Sequence, residues 1–301
     1  MYVLSLVDCH VNSKEQVGSK AMNLSIMKKA FASIPDGFVV TSESFGTYLK
    51  QNQIDLEQKE TIRESILCGV FPEEVEKEIT CAYESLVGTY DAVAVRSSSA
   101  MEDLEGASFA GQYETILNVT TKQNLFDSIK RCWASYFSSD VQNYASNHDV
   151  ALEDLLMGVF VQGMVDAEVS GVIFSANPVT GNAKEVLINA SYGLGEAIVD
   201  GSVTPDMYIV GKETNQVMKE LGDKDIQVVR TDNGNETVAV PSELQSAFCL
   251  EGEEVRSLTD LTVEIENYFK HPVDIEFAIS KKDIYILQAR PITTLKGEHL
   301  A

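Results

Sequence analysis

The sequence predicts an α+β protein built as two lobes. Helix-patterned sequence dominates the first half of the 301 residues and strand-patterned sequence the second. No Ser/Pro/Gly-rich linker, internal repeat or low-complexity tract lies between them. A glycine-interrupted apolar run, residues 157–176, reads as two core strands with a connection and places the joint near Gln162–Val165. The expected division is 1–163 for the first lobe and 164–295 for the second, with 296–301 as a tail.

Taken in order, "KAMNLSIMKKAF" (20–31) sets Met22, Leu24, Ile26, Met27 and Phe31 near one side of a helix. "IPDGFVVT" is a Pro-Asp-Gly turn running into a short apolar strand. Residues 42–88 carry charged faces and few breakers and read as mostly helical. "DAVAVRSSS" (91–99) is a buried strand entering a polar loop, and 105–119 is a small-residue loop followed by a strand. An amphipathic helix over 125–145 carries the single tryptophan, Trp133. Strands at 157–165 and 169–175 precede the turn "NPVTGN". A strand at 185–190 enters the glycine-punctuated loop "SYGLGEAIVDGSVTPD", and 206–240 alternates short strands with turns. A helix over about 253–270 leads to a closing hairpin at 273–293.

The formal charge of −23 sets the global field against nucleic acid and anionic membranes, so an anionic ligand needs a local basic cluster or a metal ion. The five cysteines are widely spaced with no CxxC pair, which reads as reduced thiols in a cytoplasmic protein and excludes a structural zinc site. No basic segment precedes an apolar run at the N-terminus, so no signal peptide is expected. The stretch 157–176 is broken by Gln162, Asp166 and Glu168 and is too polar for a membrane span.

The closing hairpin holds the densest chemistry. Val273, Ile275, Phe277 and Ile279 alternate toward the core, which leaves Asp274 and Glu276 on the opposite face. The even positions of the second strand are Ile284, Ile286, Gln288 and Arg290. A three-residue loop, Lys281-Lys282-Asp283, makes paired numbers sum to an even value, setting Glu276 opposite Gln288 and Asp274 opposite Arg290. Asp283 tolerates the left-handed conformation such a loop needs. A loop of even length would separate the acids from the Gln and Arg. Carboxylates and an amide supply the oxygen donors Mg²⁺ prefers, completed by substrate phosphates, and arginine matches phosphate oxygens with two parallel hydrogen bonds. The pattern points to a magnesium–nucleotide site. A solvated edge-hairpin face, with Asp274 simply paired to Arg290, is the alternative.

Elsewhere, Arg96 ends a hydrophobic strand and suits an anion or an internal pair with Glu102 or Asp103. The small-residue loop "GASFAGQ" (106–112) lets backbone N–H groups approach phosphate. Gly18 and Lys20 open a helix whose amides favour an anion, although the P-loop spacing fails. "YGLGEAI" puts Ile198 where a dinucleotide fingerprint needs a small residue. None of His10, His148, His271 and His299 has a convincing catalytic partner.

Together the segments "GSKAMNL", "PDGFVVT", "AVRSSSAMEDLEGASFAGQYETILNV", "FVQGMV", "SGVIFSANPVTG", "SYGLGEAIVDGSVTPD" and "DIEFAI…YILQARPIT" occur in fixed order over about 15–294. The chain resembles the N-terminal ATP-binding domain of phosphoenolpyruvate synthase and pyruvate phosphate dikinase, a domain that rifampin phosphotransferase shares. The resemblance implies an ATP-grasp-type nucleotide-binding fold with ATP held between two lobes. It implies Mg²⁺ and phosphoryl transfer from Mg·ATP to a histidine on a swivelling domain, in the same or a separate chain, with release of AMP and phosphate. Lys20, Arg96 and Arg290 are then the catalytic, phosphate-facing cations. The loop with Gly106, Ser108, Gly111 and Gln112 closes over the phosphates. Gln162, Met164 and Val165 line the adenine pocket, Asp274 faces the metal and nucleotide, and Glu276 and Gln288 are the direct metal ligands. Ser19 stands where relatives commonly carry glycine. The family's phosphohistidine motif and its phosphoenolpyruvate-binding barrel are not in this sequence. The same domain in a rifampin-type antibiotic phosphotransferase, and a non-catalytic nucleotide-binding module, are the alternative readings.

Overall fold

The computed structural model describes residues 1–31, 33–56, 58, 60–100, 114–137, 157–232 and 234–292. The chain divides into two units, Met1–Ala30 with Pro35–Met164, and Phe31–Ile34 with Val165–Ala301. Each mixes helix with antiparallel sheet, as the α+β expectation requires.

The first unit contains strands β1 (Val3–Ser5), β2 (Gly37–Val40), β3 (Val93–Ser98), β4 (Thr115–Val119) and β5 (Gly158–Gly163). They form a sheet in the order β1-β2-β5-β3-β4, antiparallel throughout. The helical sequence over 42–88 resolves into α3 (Ser42–Gln51), α4 (Ile62–Cys68) and α5 (Glu73–Val87); α1 (Lys14–Val17) and α2 (Ser19–Lys28) precede them and α6 (Lys122–Ser135) follows. Thr41 starts α3 and Thr121 starts α6, each side chain accepting from a backbone N–H three residues on, as favourable N-caps do. In α5, Val75, Ile79, Tyr83 and Leu86 recur at helical spacing and are buried, while Glu73, Glu74 and Glu76 crowd the positive first turn. The core these faces share is aromatic. Trp133 of α6 is fully buried and stacks on Phe45 at 4.7 Å between ring centroids, with Tyr48 and Phe71 against it.

Two sequence expectations are corrected here. The helix expected over 20–31 is α2, ending at Lys28, and its buried stripe is Ala21, Leu24, Ser25 and Met27; Met22 and Ile26 are half-buried. Phe31 lies beyond the helix and belongs to the second unit, edge-on to Tyr268. The remainder of the helix expected over 125–145, from 138 on, lies outside the described residues.

The second unit contains β6 (Val169–Phe174), β7 (Glu185–Tyr192), β8 (Asp206–Gly211), β9 (Val217–Glu220), β10 (Ile226–Thr231), β11 (Gly234–Ala239), β12 (Val273–Ser280) and β13 (Asp283–Pro291). Six of them form an antiparallel sheet in the order β13-β12-β6-β7-β8-β9, and β10 and β11 form a separate hairpin. Three helices accompany them: α7 (Glu196–Val199), α8 (Ser242–Gln245) and the long α9 (Gly252–Phe269). A reciprocal capping box between Glu251 and Glu254 starts α9, and Lys270 in the left-handed conformation ends it. The buried stripe Val255, Leu258, Thr262 and Ile265 faces the sheet, where α9 packs on β12 and β7. The apolar face of β12 (Ile275, Phe277, Ile279) is buried on that core side.

The cysteines divide by burial. Cys9, Cys132 and Cys249 are buried, whereas Cys68 and Cys81 are exposed. Burial pushes the Cys9 and Cys132 thiols up to about 12 and raises Cys249 as well. Titration with a chromogenic disulfide at pH 8 is therefore expected to give two fast equivalents in the native protein and all five after guanidinium unfolding. A third fast equivalent in the native state would contradict this burial.

Candidate nucleotide- and metal-binding site

The hairpin of β12 and β13 pairs Glu276 with Gln288 and Asp274 with Arg290, as the sequence pattern anticipates. The route to that pairing is different from the one expected. Ser280 pairs with Asp283, so the loop is the two residues Lys281-Lys282, both at positive φ (52° and 71°), as in a tight I′-type hairpin. A loop of even length alone would have put the acids and Gln288/Arg290 on opposite faces. A β-bulge restores the register, because Phe277 pairs with Ile286 and Glu276 with Gln288, leaving Leu287 as the extra residue. Ile284 and Ile286, expected to share the face of Gln288 and Arg290, instead sit opposite Ile279 and Phe277 on the apolar face. The bulge thus lets one strand contribute isoleucines to the core and polar groups to the other surface.

Asp274 is 7% exposed, and Arg290 donates to its Oδ2 from Nε at 2.8 Å and from a terminal nitrogen at 2.7 Å. Burial raises the Asp274 carboxyl above its usual range, and the Arg290 charge and hydrogen bond pull it part of the way back. The Asp274–Arg290 pair of the alternative reading is therefore present, but around a buried carboxylate rather than a solvated one. Gln288 is 6% exposed, and its side-chain amide makes no hydrogen bond among the described residues. The Gln288 amide faces the half-buried Glu276, and the two offer oxygens of the kind a hard cation takes. Among the described residues no three His, Cys, Asp or Glu converge, so a metal here would draw its remaining ligands from phosphate and water.

In the first unit, Arg96 lies on β3 opposite Phe160, and Gln162 on β5 opposite Ala94. The two side chains therefore share one face of the sheet as diagonal neighbours. Both residues are buried. Lys20 is half-buried in the first turn of α2. That turn abuts the end of β3. The Ser19 N–H donates to the Ser99 carbonyl, the Ala21 N–H to the Ser98 hydroxyl, and the Ser98 hydroxyl to the Val17 carbonyl. Gly18 makes this approach possible. It sits at φ +79°, and a Cβ there would lie 2.1 Å from the Ser98 carbonyl oxygen. Ser98 is the positioning residue the sequence reading passed over. Its signal was the serine run directly after Arg96.

Met164 N–H donates to the Ala92 carbonyl, and the Met164 Sδ accepts from the Asn118 N–H. Lys20, Arg96, Gln162 and Met164 belong to the first unit, and Val165, Asp274, Glu276, Gln288 and Arg290 to the second. Gly106, Ser108, Gly111 and Gln112, with the possible Arg96 partners Glu102 and Asp103, lie outside the described residues.

Residues 14–300 match the model of the pyruvate phosphate dikinase AMP/ATP-binding domain. The chain belongs to this family. An uncharacterized phosphotransferase of Bacillus subtilis, YvkC, is 45% identical over 96% of this chain and 35% of its own length. A probable phosphoenolpyruvate synthase of Methanothermobacter thermautotrophicus is 36% identical over 92% of this chain and 44% of its own. The rifampicin phosphotransferase of B. subtilis is 34% identical over 97% and 36%. The chain thus spans less than half the length of each of these relatives. No described helix of this pyruvate phosphate dikinase-type domain is long and apolar enough to cross a membrane.

Proposed function

We propose that this chain is the ATP-binding, phosphoryl-donating part of a dikinase of the phosphoenolpyruvate synthase and pyruvate phosphate dikinase type, with an ATP-grasp manner of holding its nucleotide. In the reaction, ATP, a histidine on a separate swivelling domain and a water molecule give phosphohistidine, AMP and inorganic phosphate. The observation that carries the reading is the hairpin face on which Glu276 opposes Gln288 beside the Asp274–Arg290 pair.

Glu276 and Gln288 would hold Mg²⁺, which when bound supplies charge neutralisation to the phosphates. The chain's own groups do the rest. Arg290, fixed by Asp274, directs its guanidinium at phosphoryl oxygens. Lys20 and Arg96 contribute positive charge from the first unit, and Gln162, Met164 and Val165 offer groups for the base. Such a site accelerates transfer by positioning and charge stabilisation rather than by covalent chemistry. The reading also explains how a chain of charge −23 accommodates a polyphosphate, since cations are local and the carboxylates act through a metal.

The test is Glu276→Gln, measured with nucleotide in the presence and absence of Mg²⁺. Loss of the carboxylate is expected to weaken Mg·ATP by at least about tenfold, roughly 1.4 kcal/mol, while metal-free ATP is held as before. Equal effects on the two would remove Glu276 from the metal site.

A further inference from the structure

The polar face of the second-unit sheet extends beyond the hairpin. The strand register runs Gln288, Glu276, Val172, Asn189 across β13, β12, β6 and β7. Residues paired across strands share a face, so Asn189 projects from the same surface as the Glu276–Gln288 pair, two strands away. Strand spacing puts its backbone roughly 10 Å from that of Glu276. Two residues along β7, Ser191 shares this face, opposite Ser170, which is itself opposite Ala278.

The environment of these groups is unusual for a sheet interior. Asn189 is half-buried, and its amide makes no hydrogen bond among the described residues. The Ser191 hydroxyl is wholly buried and likewise has no partner there. Ser170, by contrast, satisfies its hydroxyl on the Gly193 carbonyl at 2.7 Å. Val172 and Leu187 flank Asn189 on this face, and asparagine is disfavoured in strands, so packing alone gives no reason for an amide here. The Ser191 hydroxyl, removed from water without a partner among the described residues, carries a desolvation penalty, while the half-buried Asn189 amide stands open to a ligand.

We infer that Asn189 is a phosphate-positioning residue whose side-chain N–H donates to a phosphoryl oxygen of the nucleotide held at Glu276 and Gln288. The inference rests on the reading of that pair as the metal and phosphate site. β6 separates Asn189 from Glu276 on this face. A phosphate chain lying along the sheet spans such a gap. A neutral amide can donate to it without adding the repulsion a carboxylate would bring.

The test uses the full chain with Asn189→Ala and the isosteric Asn189→Asp, beside wild type and Glu276→Gln. Mg·ATP affinity is read by titration calorimetry, and ligand-free melting checks the fold. Both Asn189 variants are expected to bind Mg·ATP about ten- to a hundredfold more weakly than wild type, with Asp affected at least as much as Ala. The Asp variant separates shape from donation, since it keeps the former and loses the latter. If it binds Mg·ATP as wild type does, the inference is overturned, and continued loss in Glu276→Gln shows that the metal site itself stands. If wild type fails to bind Mg·ATP, both are overturned.

Discussion

Arg290→Ala is expected to lower phosphoryl transfer to a separately expressed phosphohistidine domain by about 10²–10³-fold, read as AMP formed from Mg·ATP. The size of the effect follows from the geometry. The guanidinium is 39% exposed on the side-chain scale and rests two of its nitrogens on one oxygen of Asp274. Five N–H groups in a rigid fork exceed what a single carboxylate oxygen uses, so the same residue can be fixed by Asp274 and still address a phosphate. Alanine also strips the counter-charge from a buried carboxylate, and breaking such pairs costs about 3–5 kcal/mol. Asp274, already shifted upward by burial, limits that loss by taking a proton. Arg290→Lys is the cleaner variant. It retains the charge beside Asp274 and removes the fork, and it should keep the wild-type melting temperature while losing most of the transfer. Wild-type transfer by the lysine variant would reduce Arg290 to a counter-ion for Asp274.

Lys224→Met is expected to destabilise the second unit by about 3–5 kcal/mol in urea unfolding. Lys224 and Asp206 both have fully buried side chains, 0% exposed, with Nζ 2.5 Å from Oδ1. Asp206 is the hub of a wider network. Its Oδ1 also accepts the Gly222 N–H and its Oδ2 the Cys249 N–H, and beside these the Leu250 N–H donates to the Tyr208 hydroxyl. The pair therefore ties the segments at 222–224 and 249–250 to β8. Methionine fills most of the lysine's volume but leaves the carboxylate uncompensated. Adding Asp206→Asn should recover part of the loss, because an amide oxygen still accepts from the backbone while the buried charge is gone. A single-variant loss under about 1 kcal/mol would mean that the Lys224–Asp206 pair contributes little to the stability of the second unit.

Much of this was readable in the residues. Period-two alternation places Asp274 and Glu276 opposite Arg290 and Gln288, and the helix expected over about 253–270 is α9. The errors have physical causes. The loop length was misjudged because two consecutive lysines at positive φ run against the usual preference for Gly, Asn or Asp in such turns. Leu287 was unreadable as a bulge by alternation alone, although Ile286-Leu287, two apolar neighbours before a polar pair, breaks the period and marks the spot. Phe31 fitted the helical stripe of α2, yet it is a tertiary contact with Tyr268 that decides its place. Asn189 gave no local signal. Its interest comes from the register of three intervening strand pairings, information that no short window contains.

The extra residue at Leu287 also bears on how this hairpin can vary. It works as a phase shifter, separating the inside-outside rhythm of the tip from that of the stem. At the tip Ile284 and Ile286 answer to the core, and beyond the bulge Gln288 and Arg290 stand on the opposite face while Ala289 keeps to the core. Deleting that one leucine would make the two rhythms collide, turning either the isoleucines or the glutamine and arginine to the wrong side.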